Sequence, residues 1–136
     1  MKLNHLNLCT SNVASVSDIF TRYFAFKAII GSEDYAMLSG QDGFSLVLTK
    51  IDPASAQIYP SSFFPQIKMH FNFHVGFMVD TPELVLAKHK ELQEAGLNPG
   101  AINEYVALNE NWTAFYCAIG DGIDIEVNAH KPVEPN

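Results

Sequence analysis

Arginine is almost missing from this 136-residue chain, with Arg22 the only one. Lys and Arg together number 8 against 15 Asp and Glu, a formal net charge of −7, and no basic block is set against the acidic excess. Nucleic acid and anionic membrane surfaces are therefore excluded as partners, since phosphate backbones need clustered Lys and Arg. A phosphate-rich substrate is disfavoured for the same reason, because arginine is the usual bidentate clamp for phosphate and carboxylate. Cysteine is scarce too. Cys9 and Cys117 suit a reducing compartment better than a disulfide framework. No apolar run approaches the ~20 residues of a membrane span. The opening MKLNHLNLCTS lacks the unbroken apolar core of a signal peptide, so the expected location is the cytoplasm.

What is present is enough for a packed core. Hydrophobic residues make up 48% and charged residues 17%, which argues for a single folded domain and against disorder. Residues 2–9 read as a strand. Val13, Val16, Ile19, Phe20, Tyr23 and Phe24 recur at helical spacing over 13–26. Strands follow at 27–32, 35–39 and 44–50, with Gly40 and Asp42-Gly43 turning the chain before the last. Residues 52–69 hold Pro53, Pro60 and Pro65 among serines and read as a linker, within which Phe63-Phe64 either caps a pocket or anchors the linker. FNFHVGFMV (71–79) is a strand. Thr81-Pro82-Glu83 then starts a helix, with Thr81 as N-cap, Pro82 at the first turn and a stop at Gly96. Strands near 103–108, 112–118 and 123–128 complete the order β-α-β-β-β, linker, β-α-β-β-β.

The two halves look like copies of one module. GQDGFSLVLT (40–49) aligns with IGDGIDIEVN (119–128) at an offset of 79, which sets Asp42-Gly43 on Asp121-Gly122; His5 aligns with His74 at an offset of 69. Within IDIEVN, Ile123, Ile125 and Val127 alternate with Asp124, Glu126 and Asn128, a strand with one buried face. His5, His74 and Glu126 all fall on the less apolar face of their strands. If the modules pack by pseudo-twofold symmetry, those faces line a shared cleft. Two imidazoles and one carboxylate there form a facial ligand set for Fe, Mn, Zn, Co or Ni, with open positions for substrate. Each residue also has an ordinary alternative: a surface histidine at His5, a core-edge histidine hydrogen-bonded to a neighbour at His74, a solvated carboxylate at Glu126. His70, His89 and His130 read as structural or surface residues, with His89 in the solvated run KHKE. Asp18 and Arg22, four apart on the first helix, read as a surface pair.

Three motifs, LNHLNL, FHVGFMVD and GDGIDIEV, taken in order with a helix after each of the first two, resemble the vicinal oxygen chelate superfamily. That superfamily includes glyoxalase I, extradiol dioxygenases, fosfomycin-resistance thiol transferases and bleomycin-resistance proteins. The resemblance spans nearly the whole chain. It implies an α+β fold of two tandem βαβββ modules, 1–51 and 70–131, forming a curved mixed sheet around a cleft. It further implies one divalent metal ion per site held by His5, His74 and Glu126, and pairing into a homodimer. The glyoxalase I branch adds a glutamate ligand at a position that falls on Val47, which cannot ligate. Where the transferases often carry threonine, this chain has Asn7. Tyr116 and Asn7 are the candidates for substrate contact. The expected function is a metal-dependent lyase, isomerase, dioxygenase or transferase acting on a small organic molecule. The alternative is a metal-free binding protein of the bleomycin-resistance kind.

Overall fold

Two Asp-Gly pairs set the frame. Asp42 and Gly43 have φ of 54° and 73°, and Asp121 and Gly122 have φ of 54° and 73°. Positive φ at consecutive residues reverses the chain with the twist that antiparallel strands need, and Asp followed by Gly tolerates it well. The computed structural model describes residues 1–55 and 73–133. The chain divides into two units, Met1–Ile58 and Tyr59–Asn136.

In the first unit the order is β1 (His5–Thr10), α1 (Val13–Tyr23), β2 (Lys27–Gly31), β3 (Tyr35–Ser39) and β4 (Ser45–Lys50), in a sheet ordered β1-β4-β3-β2. β1 runs parallel to β4, and the other neighbours are antiparallel. Asn12 caps α1, its side chain accepting from Ser15 N at 3.0 Å. The helix stops at Tyr23, short of the expected 26, because Ala25 takes a left-handed φ of 57°. Val13, Val16, Ile19 and Phe20 are buried, as are Leu38, Leu46 and Leu48 on the strands that α1 covers. Arg22 and Asp18 form the expected exposed pair at 2.6 Å.

The second unit repeats this plan: β5 (Phe73–Met78), α2 (Pro82–Glu94), β6 (Asn103–Ala107), β7 (Glu110–Gly120) and β8 (Ile123–Pro132), in a sheet ordered β5-β8-β7-β6. Again the first strand is parallel to the last. The register makes the correspondence exact to the residue: His5 pairs with Ser45 and His74 with Asp124, while Asn7 pairs with Val47 and Gly76 with Glu126. The architecture is α+β, two βαβββ modules in tandem, each with a four-stranded mixed sheet and one helix. No helix among the described residues is long and apolar enough to cross a membrane.

Several expectations need correction. β1 begins at His5, not Lys2. Thr81 occupies the N-cap of α2, but its side chain makes no capping bond to the helix backbone. β7 spans Glu110–Gly120, longer at both ends than the expected 112–118, and β8 runs on to Pro132, past the expected 128. Polar and aromatic cross-strand pairs, Asn111 with Lys131 and Trp112 with His130, carry that extension, and these leave no apolar alternation to read. His89 is not on a solvated face. It is partly buried, its ring edge-on to Phe115 at 5.0 Å and its Nε2 2.9 Å from the Gly100 carbonyl oxygen. His70 and the Phe63-Phe64 pair, with most of the expected linker, lie outside the described residues; within 52–55 the chain makes a short 3-10 turn, Pro53–Ser55.

Candidate functional site

The sheet of the second unit has two unlike faces. α2 covers β7 and β8 on one side, where Ile123, Ile125, Val127 and Ala129 are buried with Phe115 and Cys117. Strand alternation sends Asp124, Glu126, Asn128 and His130 to the other side. Register places Tyr116 opposite Glu126, and His74 beside Asp124 on the parallel neighbour. The expected single buried face of β8 is thus only half the case: Asp124, Glu126 and Asn128 are buried as well. β8 is flanked on both sides by strands, and its polar side chains pack against one another and against residues of β5 and β7. Glu126 is not solvated.

Three side chains surround Glu126. Asn128 Nδ2 donates to its Oε1 at 2.9 Å. His74 Nε2 lies 3.2 Å from its Oε2. Tyr116, paired with Glu126 across the strands, flanks the same carboxylate, and its ring meets His74 edge-on at 5.6 Å. Burial first, then the charge of Glu126, push the Tyr116 phenol well above the ordinary tyrosine range. It stays a neutral donor at any physiological pH. The side chains of Glu126 and His74 are 9% and 36% exposed, so a fixed carboxylate is presented through a reachable imidazole.

An imidazole nitrogen and a carboxylate oxygen are donors that suit a divalent transition metal. Two neighbouring ligands, each ~2.1 Å from one ion, stand roughly 3 Å apart, and the His74–Glu126 contact fits that spacing. Asp124, buried beside them, adds negative charge; it and burial raise the Cys117 thiol, burial being the larger cause. Among the described residues no group of three His, Cys, Asp or Glu gathers as a metal-ligand set. His5 and Asn7 belong to the first unit, on β1. His5 Nδ1 contacts Asn4 Oδ1 at 2.7 Å, and Asn7 Oδ1 accepts from Thr49 Oγ1 at 3.1 Å. The counterpart of Glu126 in that unit is the buried Val47. The structure therefore brings His74, Glu126 and Tyr116 together in one unit and places His5 and Asn7 in the other.

Asn128 and Asp124 were overlooked as site residues, although the alternation of IDIEVN already put them beside Glu126. No sequence signal marks the pair formed by His130 Nδ1 and Glu110 Oε2 at 2.7 Å, on the same face.

Known structures share this architecture from end to end. A possible glyoxalase from Bacillus cereus matches with a TM-score of 0.67 at 26% identity, over 93% of this chain and 97% of its own. The fold is that of the vicinal oxygen chelate superfamily. A lactoylglutathione lyase from Agrobacterium tumefaciens shares the vicinal oxygen chelate fold with a TM-score of 0.65 at 13% identity, over 94% of this chain and 92% of its own. The fosfomycin resistance protein FosX from Listeria monocytogenes, solved in complex with Mn(II) and sulfate, matches with a TM-score of 0.68 at 15% identity, over 94% and 89%. No protein-family model and no curated protein matches the sequence.

Proposed function

We propose that the chain is a divalent-metal-dependent enzyme acting on a small organic substrate, with His74 and Glu126 as two ligands of the metal and His5 as the third. One observation carries this reading: a buried carboxylate, hydrogen-bonded by Asn128 and flanked by Tyr116, faces the Nε2 of an accessible histidine at 3.2 Å. Second-shell donors that orient a ligating carboxylate are a recurring part of metal sites. The FosX neighbour's complex with Mn(II) supports a divalent ion in this fold. When bound, the ion supplies a Lewis acid for adjacent substrate oxygens. The chain's own residues do the rest. Asn128 holds the carboxylate in place, and the neutral Tyr116 phenol provides a hydrogen-bond donor beside it. A homodimer and a cytoplasmic location belong to the same proposal.

A second reading has an observation in its favour. Asn128 on Oε1 and His74 on Oε2 give each oxygen of the Glu126 carboxylate a partner without an ion, as a metal-free binding protein of the bleomycin-resistance kind would require.

Metal content per chain separates the two. Tag-free wild type, Glu126→Ala and His74→Ala are dialysed against Mn(II), Zn(II) or Fe(II) and analysed by inductively coupled plasma mass spectrometry. Enzyme chemistry at this site predicts about one ion per wild-type chain and its loss in both variants. Full metal content in Glu126→Ala would place the ion elsewhere, and an empty wild type would leave the metal-free reading.

A further inference from the structure

One row of polar side chains crosses the helix-free face of the first unit. His5 pairs with Ser45, Ser45 with Ser39, and Ser39 with Lys27, so each of the four strands contributes one residue. Alternation puts all four on the side away from α1, since Leu38, Leu46 and Leu48 are buried on the side that the helix covers. The two serines are half-buried, and the end members are exposed. Among the described residues, neither serine hydroxyl has a hydrogen-bond partner and Lys27 has no carboxylate. His5 Nδ1 lies 2.7 Å from Asn4 Oδ1. An amide oxygen only accepts, so in the neutral ring the proton sits on Nδ1 and Nε2 presents a lone pair.

The strands of this unit carry no acid. β1 to β4 contain neither Asp nor Glu, in a chain that has 15 of them. Glu33 and Asp34, just before β3, are turned to Lys50 at 2.9 and 3.0 Å. Asp42 is the one acid in the turn beyond the two serines, and Lys2 Nζ donates to its carbonyl, so a cation stands beside it. The second unit differs at the matching place. There Asp124 pairs with His74 as Ser45 pairs with His5. Two hydroxyls and an ammonium on neighbouring strands, each about 5 Å from the next, suit the two oxygens of one carboxylate. One fixed cation balances one negative charge.

We propose that this row binds the carboxylate of a small acid, held by the Ser39 and Ser45 hydroxyls and the Lys27 ammonium. The lysine acts as a point charge, and the hydroxyls supply the direction that an arginine fork would otherwise give. The row stands on its own residues. That it anchors a substrate of the metal site rests on the reading of His5 as a ligand, since His5 is the next member of the row.

Three probes of similar shape test it at pH 8: benzoate, the neutral benzamide and the doubly charged phenylphosphonate. Backbone amide shifts of the full chain, in nitrogen–proton correlation spectra, report affinity, location and folding together. The proposal expects benzoate to bind about tenfold more tightly than either other probe, with shifts centred on Lys27, Ser39 and Ser45. Lys27→Gln and the double variant Ser39→Ala/Ser45→Ala each lose about tenfold in affinity for benzoate. Equal binding of benzamide overturns the proposal. So does tighter binding of phenylphosphonate, or unchanged affinity in either variant with its fold intact. Chelator and Glu126→Ala keep the metal reading separate. Benzoate binding that persists under both and falls in Lys27→Gln leaves this proposal standing whatever the metal content. Binding that needs the ion and ignores Lys27→Gln puts the carboxylate on the metal, which overturns this proposal and spares the metal reading.

Discussion

His74 reaches Glu126 diagonally. The residue paired with Glu126 on β5 is Gly76, yet the contact is made from two positions earlier, Nε2 to Oε2 at 3.2 Å. With glycine at the directly paired position, no side chain stands between them. The nearest atom that a Cβ at Gly76 would meet is Asn128 Nδ2 at 3.9 Å, so space is available, but a larger side chain would project toward the carboxylate's partners.

Asn128 therefore matters more than its type suggests. Replacing it with Leu removes the donor on Oε1 while keeping bulk. Divalent-metal affinity should fall by roughly 10- to 100-fold, the usual cost of losing an outer-shell partner. Competitive titration against a fluorescent chelator measures it. Affinity within twofold of wild type would show that Glu126 needs no such support.

Tyr116 gives a pH signature. Its phenol ionises at higher pH in the folded chain than in the unfolded one, so the folded state retains a proton that the unfolded state loses. The stability this contributes is complete below about pH 10, the ordinary tyrosine value, and is lost as pH rises from there toward the folded value. Urea melts of wild type and Tyr116→Phe at pH 8 and pH 11 test this. The wild type should lose more stability across the interval; parallel losses would contradict the assignment.

Gly40 packs against a ring. A Cβ there would stand 2.7 Å from Phe26 Cε1, and Phe26 is itself edge-on to Phe20 at 5.4 Å in the buried core of the first unit. Gly40→Ala should destabilise by about 1–3 kcal/mol through displacement of Phe26. Denaturant melts of the variant give the figure directly, and a loss below ~0.5 kcal/mol would mean that the ring moves freely.

The β6–β7 hairpin turns on Leu108 and Asn109, with φ of 53° and 62°. Leucine is poorly suited to that backbone, and this one is largely exposed. Leu108→Asn should raise stability by roughly 0.5–1 kcal/mol, since asparagine tolerates the left-handed region. Thermal melts decide, and a lower melting temperature would show that the Leu108 side chain makes a stabilising contact.

Much of this was open to sequence reading because the governing signals were local. Helical spacing in 13–24, the Pro82 start of α2 and the two Asp-Gly turns each specify their own stretch of backbone. The alignment of Asp42 with Asp121 gave the repeat, and strand register bears it out. What stayed hidden depends on pairing across strands. Nothing near His130 announces Glu110, twenty residues away, and nothing in KHKE shows that His89 turns inward to Phe115 and Gly100. Alternation alone left Glu126 an ordinary strand residue; the alignment of the two halves and the family resemblance made it a candidate ligand, but its partners Asn128 and His74 came only with strand pairing. Alternation tells which residues share a face but not whether that face meets water. The roles of His5 and Asn7 depend on how two modules meet, which no local pattern encodes.

The matched turns carry one more implication. Asp42-Gly43 and Asp121-Gly122 have the same φ values, yet five residues after each aspartate stand Val47 and Glu126. A left-handed reversal admits few residue types, while a mid-strand position constrains its side chain mainly through what surrounds it. The two reversals are thus alike because the chain must turn there, while the strand interiors are free to differ. One half of a repeated frame can hold a buried acid and its attendants while the other holds plain hydrocarbon, and both fold by the same plan.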